Sequence, residues 1–335
     1  MSRIPRFPLC ASITPPEARA SAGSIGASTE ASTDASAGAA ANAAFDLRTV
    51  ATLLPGQGTD WSLEYVDETG STNADLLARF AAGQYALGDF QHGHAPAWRP
   101  VARAAGVQTA GRGRHGRPWL AAAGDALLFS VAWPMPRPLS AIDGLSLALG
   151  TALSRALIKL PLATSTQLTL KWPNDLLLDG RKLAGILVET AGHTRQACAL
   201  VIGIGINLRA APGSAEFALD ERAPRPLAPT ALEAALPDGT ARAALPERVL
   251  AACLGELDET LTRFAAAGFA PFRDAWQALD AFRDQMVSIH EQGRETMRGI
   301  ACGVDASGRL LVDPGTGPTP VLSGDASARK TSAAS

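Results

Sequence analysis

The sequence is poor in cysteine and aromatic residues, has no strong excess of charge and contains no long apolar run. Its four cysteines, Cys10, Cys198, Cys253 and Cys302, stand far apart with no CxxC pair, which excludes a disulfide framework and a zinc site of the usual spacing. The longest apolar stretches, such as 199–206, fall well short of the roughly 20 residues that span a bilayer, so no transmembrane helix is expected. Lys and Arg number 30 against 32 Asp and Glu, for a formal net charge of −2. That balance argues against a protein that coats nucleic acid or lies on anionic lipid, while leaving room for a local basic patch. Pro5 and Pro8 interrupt the stretch that begins with Arg3 and Arg6, and no apolar signal core appears, so the expected location is the cytoplasm. The 335 residues, of which 47% are hydrophobic, suffice for two domains or one large domain with appendages.

Residues 11–44 are dominated by Ala, Ser, Thr and Gly and hold no aromatic residue, so residues 1–44 are expected to form a disordered tail. A transit peptide is the alternative, with Glu17, Glu30 and Asp34 counting against it. Ordered structure is expected from Phe45. Trp61, Leu63 and Tyr65 alternate as in a strand, and the turn Gly70-Ser71-Thr72-Asn73 precedes Leu76, Leu77 and Phe80 at helical spacing. Residues 85–99 read as a loop, Val101 as a short strand and Leu127–Trp133 as an apolar strand. Ile142, Leu145, Leu149, Leu153 and Leu157 predict a long helix packed on a sheet. A meander runs next through 167–171, 176–178, an Asp179-Gly180 turn, 183–189 and 197–206. Residues 209–245 suggest a long mobile loop. Helices are expected at 246–264 and 271–282, and short strands with glycine turns at 286–326, as in a small barrel.

Three segments carry chemistry. Gly111-Arg112-Gly113-Arg114-His115-Gly116 matches GxGxxG, but Arg117-Pro118-Trp119 leads to a strand rather than a helix, so the dinucleotide fingerprint lacks its context. What remains is a flexible loop whose N–H groups and guanidinium forks suit phosphate or carboxylate, or else a solvated surface loop. Lys171-Trp172-Pro173-Asn174-Asp175 and Arg181–Glu189 place two lysines and an Asn-Asp pair at strand ends. Lys182 there could meet phosphate and Asp175 a magnesium ion; the alternative is an exposed charged hairpin. Gly203-Ile204-Gly205-Ile206-Asn207 ends a strand with glycines that admit a ligand and an amide that reads a base or ribose, or is a glycine-bearing core strand.

Together GRGRHGR, KWPNDLLLDGRKLAGILVE and GIGINL, preceded by Ser71-Thr72-Asn73, closely resemble biotin protein ligase over about residues 61–325. The resemblance implies an α+β fold: a class II synthetase-like mixed sheet with flanking helices over 45–283, a small SH3-like β-barrel over 284–326, and a tail over 327–335. It implies that biotin and MgATP form biotinyl-5′-AMP, and that the biotinyl group passes to one lysine of a biotin carboxyl carrier protein of acetyl-CoA carboxylase or other biotin-dependent carboxylases. Position by position, Ser71, Thr72, Asn73 and Gln108 would face biotin's ureido ring and pocket. Arg112, Gly113 and Arg114 would close over the acyl-phosphate, and Lys182 would contact the biotin carboxylate and the α-phosphate. Gly111, Arg114, Arg117, Trp119, Asn174 and Asn207 would lie around the nucleotide, with Mg²⁺ on Asp175.

An ionised carboxylate needs no general base for adenylation, only cations, which matches the absence of any Ser-His-Asp arrangement. In the transfer step Asp175 is a candidate to help remove the carrier lysine's proton. A lipoate or octanoate ligase or transferase shares the core, and a biotin-binding module without turnover would need a disabled site. Some members of the family also repress transcription through an N-terminal winged helix-turn-helix. The about 16 residues from Phe45 to Trp61 are too few for one, so no DNA partner is expected. No membrane partner is expected either, and a weak homodimer is allowed. Departures from the family pattern are the long 85–99 loop with His92 and His94, His115 in place of a common arginine, Phe217 as the one aromatic residue of 209–245, and Ser323-Gly324-Asp325 where the family ends Gly-Gly-Glu.

Overall fold

A computed structural model describes residues 45–54, 58–85, 98–209, 227–240, 242, 244–291, 294–321 and 323–328. The expectations for 1–44, for His92 and His94, for Phe217 and for residues 329–335 lie outside the described residues. The central feature is a seven-stranded sheet of β1 (Ser62–Thr69), β2 (Val101–Gln108), β3 (Ala126–Met135), β4 (Leu168–Lys171), β5 (Asp175–Leu178), β6 (Arg181–His193) and β7 (Cys198–Asn207). Its order is β1-β2-β3-β7-β6-β5-β4, with β1 and β2 parallel and every other pair antiparallel. The β5–β6 hairpin turns at Asp179 (φ 50°) and Gly180 (φ 75°), the positive pair that Asp-Gly supplies in a two-residue turn.

Alternation along the strands divides the sheet. Leu127, Phe129 and Val131 of β3 and Leu200, Ile202 and Ile204 of β7 join the main core, beneath α3 (Leu145–Ile158) and α4 (Leu245–Ala267). The opposite side chains at Ala132 and Val201 meet Leu76 of α2 (Thr72–Ala81). Because successive side chains point to opposite faces, Ser130, Gly203, Gly205 and Asn207 share the α2 face. Two short helices, α1 (Leu47–Leu53) and α5 (Arg273–Ala278), complete this part. The sequence pattern did not reveal α1, and α5 ends before the expected residue 282.

The second sheet comprises β8 (Met286–Glu291), β9 (Arg294–Val304), β10 (Leu310–Asp313), β11 (Thr319–Val321) and β12 (Asp325–Ala328), in the order β11-β10-β9-β8-β12. Among the described residues no pairing of β11 with β12 closes it into a barrel, and β12 runs past the expected boundary at 326. Its β9–β10 turn seats on the first sheet's helices: a Cβ on Gly308 would meet Gly144 Cα at 2.7 Å. Trp172 Nε1 also donates to the Gly308 carbonyl at 3.1 Å, which ties the KWPND turn to the second sheet. None of the described helices is long and apolar enough to cross a membrane.

Candidate functional site

The N-terminus of α2 brings three of the expected residues onto the sheet. Ser71 caps the helix, its hydroxyl accepting from Ala74 N at 3.5 Å, so Thr72 and Asn73 form the first turn. Ser71, Thr72 and Asn73 are buried, as is Ser130 beneath them. Thr72 N donates to Gln108 Oε1 at 2.7 Å, and Thr72 Oγ1 lies 2.9 Å from that oxygen and 2.6 Å from Ser130 Oγ. Ser130 Oγ donates to Asn73 Oδ1 at 2.5 Å, and Asn73 Nδ2 donates to Glu189 Oε2 at 2.6 Å. Glu189 in turn faces Arg112, with Nη2 and Oε1 4.0 Å apart. A continuous polar chain therefore runs Gln108, Thr72, Ser130, Asn73, Glu189. Sequence reasoning missed Ser130 and Glu189. The one polar residue inside the apolar run of β3 was the available signal for Ser130, because a hydroxyl in such a strand needs partners.

Beside this chain lies a glycine floor. Gly185 of β6 and Gly205 of β7 are cross-strand partners, and the Trp119 indole rests on both: a Cβ would meet its ring at 3.1 Å from Gly185 and 2.6 Å from Gly205. Lys182 Nζ stands 5.5 Å from the Trp119 ring centroid, within cation–π range. Two buried polar atoms here have no hydrogen-bond partner, Trp119 Nε1 and Asn207 Oδ1, whereas Asn207 Nδ2 donates to Thr230 O. A buried orphan acceptor costs free energy unless a ligand satisfies it. Residues 228–230 cross next to Lys182, with Lys182 N donating to Ala228 O and Thr230 N to Lys182 O, so the expected structureless 209–245 segment returns to the sheet at its far end.

The GRGRHGR segment is a small hairpin. Trp119 N donates to Gly111 O and Gly113 N to Arg117 O, and its tip turns at His115 (φ 58°) and Gly116 (φ 71°). Gly111 has a physical requirement, since a Cβ there would meet Trp119 O at 2.8 Å and Gln108 Nε2 at 3.2 Å. Arg114 and Arg117 do not point at the glycine floor in this state. Both grip Asp325 of the second sheet, at 3.0 and 2.7 Å, so the imperfect ending Ser323-Gly324-Asp325 supplies the loop's counter-charge.

Asp175 lies between two lysines. Its Oδ1 lies 2.7 Å from Lys182 Nζ and its Oδ2 3.3 Å from Lys171 Nζ. Burial pushes the Asp175 carboxyl up, but Lys182 and then Lys171 outweigh that and hold it below the ordinary carboxylate range. A carboxylate so held is a poor proton acceptor, which does not suit deprotonation of a lysine. In this arrangement both of its oxygens face ammonium groups. Asn174 Nδ2 donates to Ile186 O at 2.9 Å, which braces the turn.

Comparison with known proteins places the chain in a family. The Biotin/lipoate A/B protein ligase family matches residues 90–207. The chain is 34% identical over 282 residues to the biotin--[acetyl-CoA-carboxylase] ligase of Mycobacterium tuberculosis, covering 84% of this chain and 94% of that protein. It is 34% identical over 275 residues to the bifunctional ligase/repressor BirA of Escherichia coli, covering 82% and 76% respectively. Among solved structures, the biotin protein ligase of Aquifex aeolicus in complex with biotin and ATP superposes with a TM-score of 0.61 at 26% identity, over 81% of this chain and 99% of the other. With the family model matched over β2 to β7 and relatives aligned over most of its length, the chain belongs to the biotin protein ligases of the biotin/lipoate A/B protein ligase family.

Proposed function

We propose that this chain is an ATP-dependent biotin protein ligase that forms biotinyl-5′-AMP and transfers the biotinyl group to a lysine of a biotin carboxyl carrier protein. The observation that carries this reading is the buried chain from Gln108 to Glu189 lying beside the cations Arg112 and Lys182. A substrate suited to both has a head rich in hydrogen-bonding groups and an anionic tail, as biotin has with its ureido ring and carboxylate. The dithiolane of lipoate and the alkyl chain of octanoate would leave the polar chain unmatched, and unpaired buried polar groups reject such analogues strongly.

In the first step two anions must approach, the acid carboxylate and the α-phosphate. Lys182 and Arg112 offset their repulsion and stabilise charge in the in-line displacement. Asp175 orients Lys182, and Trp119 covers the glycine floor. Asn207 Oδ1 suits the amino group of a base, and Arg114 and Arg117 suit phosphates once they leave Asp325. A magnesium ion arriving with ATP would be carried by phosphate oxygens and water, with Asp175 as the candidate protein ligand. The carrier supplies the attacking lysine in the second step. The two sheets correspond in this reading to a catalytic part, 45–283, and a C-terminal part from 284, in a chain that works in the cytoplasm without DNA or membrane and forms at most a weak homodimer. The test incubates the purified chain with ATP, magnesium and one of biotin, lipoate or octanoate, then measures pyrophosphate release and labelling of a carrier domain. Release with biotin alone is expected. Release with lipoate or octanoate in preference to biotin would overturn the reading.

A further inference from the structure

Two stripes of α2 meet the sheet. Leu76 packs on Val101, Ala132 and Val201, with Leu77 and Phe80 beside it. Thr72, Asp75, Leu76 and Arg79 stand at i, i+3, i+4 and i+7 and so share a second line along the helix, whose charged members meet charges on the strands. Arg79 spans the Glu64 carboxylate of β1 with two bonds of 2.7 Å. Arg103 of β2 lies at the centre: its Nη1 donates to Glu64 Oε2 at 2.9 Å and its Nε to Asp75 Oδ2 at 2.7 Å. Its side chain is 15% exposed.

This network ends at the substrate turn. Asp75 accepts from Thr69 Oγ1 at 2.9 and 3.0 Å, and its own N–H donates to Ser71 O, so one residue closes both sides of the turn that carries Ser71, Thr72 and Asn73. Arg103 is the cross-strand neighbour of Ser130, which touches Thr72 and Asn73. It also shares β2 with Gln108, the acceptor of Thr72 N. Apolar contact is non-directional, so Leu76 in its cluster resists a small rotation of α2 weakly. A guanidinium bound to carboxylates on two different elements resists it, because each of its bonds depends on distance and angle.

We propose that Arg103 is a positioning residue for the acid substrate: by joining Asp75 of α2 to Glu64 of β1 it fixes the rotation of α2, and with it the placement of Thr72 and Asn73 over Ser130. The proposal rests on the reading of this pocket as the biotin site. Arg103 acts through Asp75, by raising the fraction of free chain whose turn is ready to accept the head of the acid. Its loss lowers apparent affinity in proportion to that fraction, whereas an excess of acid selects the ready turn and restores the rate. ATP, which this reading assigns to β6, β7 and the loop after β2, is unaffected.

Arg103→Met keeps the side-chain length and removes the fork. On the full chain, biotin affinity from titration calorimetry should fall about tenfold and KM for biotin in pyrophosphate release should rise in parallel. The kcat at saturating biotin and KM for ATP should stay within about twofold. Arg103→Lys keeps the charge but reaches one carboxylate at a time, so a loss of about threefold is expected. It also serves if the methionine variant, in which Asp75 and Glu64 lose their shared cation, folds poorly. Biotin affinity unchanged in folded variants of lower Tm, or kcat and KM for ATP changed as much as KM for biotin, would show that the network supports the fold and nothing more. A wild-type chain that binds lipoate or octanoate and not biotin would instead overturn the reading of the pocket, and the same variants titrated with that acid would still test the positioning role.

Discussion

Replacing Lys182 by alanine separates two roles that the structure gives to one ammonium group. Toward the substrates it is a cation at the reacting phosphate, and losing such a contact typically costs on the order of 3 kcal/mol, or about a hundredfold in rate. Toward the protein it is the nearer of the two partners of Asp175, at 2.7 Å. Removing one partner of a buried ion pair costs about 3–5 kcal/mol. Two facts reduce that figure: Lys171 remains 3.3 Å from the other oxygen, and the Lys182 side chain keeps 32% exposure, so about 1–2 kcal/mol is expected. In a domain of this size that lowers Tm by about 3–6 °C.

The pH dependence has a definite sign. The folded Asp175 carboxyl is held below its usual range despite burial, because the two lysines attract its charge. The resulting stability is present above the unfolded pKa of about 4 and is lost as pH falls through the lower folded value. In Lys182→Ala the largest attractive contribution is gone, so the Tm gap between wild type and variant should be full at pH 7 and narrow below about pH 4. Pyrophosphate release at saturating biotin and ATP, together with thermal melts across that pH range, checks both parts. A folded variant with near-normal release would remove Lys182 from the chemistry. A Tm gap independent of pH would show that the Asp175 pair is not what the lysine stabilises.

The remaining predictions concern the second sheet and the segment leading into it. Asp325→Asn removes the counter-charge shared by Arg114 and Arg117, so trypsin should cut the ligand-free chain after Arg114 several-fold faster than wild type; equal rates would mean that these ion pairs do not hold the loop. Asp280, whose Oδ2 is buried without a partner, has its carboxyl pushed up by burial to about 6. A raised folded pKa means that stability falls as pH rises from about 4 to about 6. Asp280→Asn keeps an acceptor for the Phe282 N–H and should therefore raise Tm at pH 8 while leaving it nearly unchanged at pH 4. A variant less stable at both pH values would contradict that assignment.

The elements most legible in the sequence were those whose pattern follows a single period. The leucines of α3 repeat at helical spacing and the apolar run of β3 marks a buried strand, so both fall within a few residues of expectation. The Asp179-Gly180 turn was legible because two positive φ angles leave few other residue choices. The 209–245 segment looked structureless because the backbone bonds of 228–230 are made to residue 182, a partner that local composition cannot reveal. The site divides the same way. Ser71, Thr72, Asn73, Gln108, Arg112 and Lys182 could be carried over from motifs, and the structure gathers them around β3, β6 and β7. Glu189 sits at the end of the GILVE run, where a strand-end acid reads as solvated, and only the fold brings Asn73 to it. The two lysine partners of Asp175 were hidden for a related reason: residues 171 and 182 meet at 175 only once β4, β5 and β6 are paired.

Those partners are part of a pattern. Five cations converge here, Arg112, Arg114, Arg117, Lys171 and Lys182, and three carboxylates, Glu189, Asp325 and Asp175, hold them. The surplus of positive charge favours approach of anions to the site even though the whole chain is slightly acidic, because a local field decides the encounter. Satisfied cations also cost the ligand-free protein less than bare ones would. The consequence for catalysis is that substrate anions do not add to an idle charge but exchange with a carboxylate already in place. Interactions gained only as negative charge builds on the reacting phosphate then count toward rate, whereas those that merely replace Asp325 or Glu189 count toward little. On this argument Lys182 is the cation best placed to lower the barrier. Its carboxylate, Asp175, is shared with Lys171 and remains beside it, so Lys182 can turn toward phosphate without leaving a buried charge uncompensated.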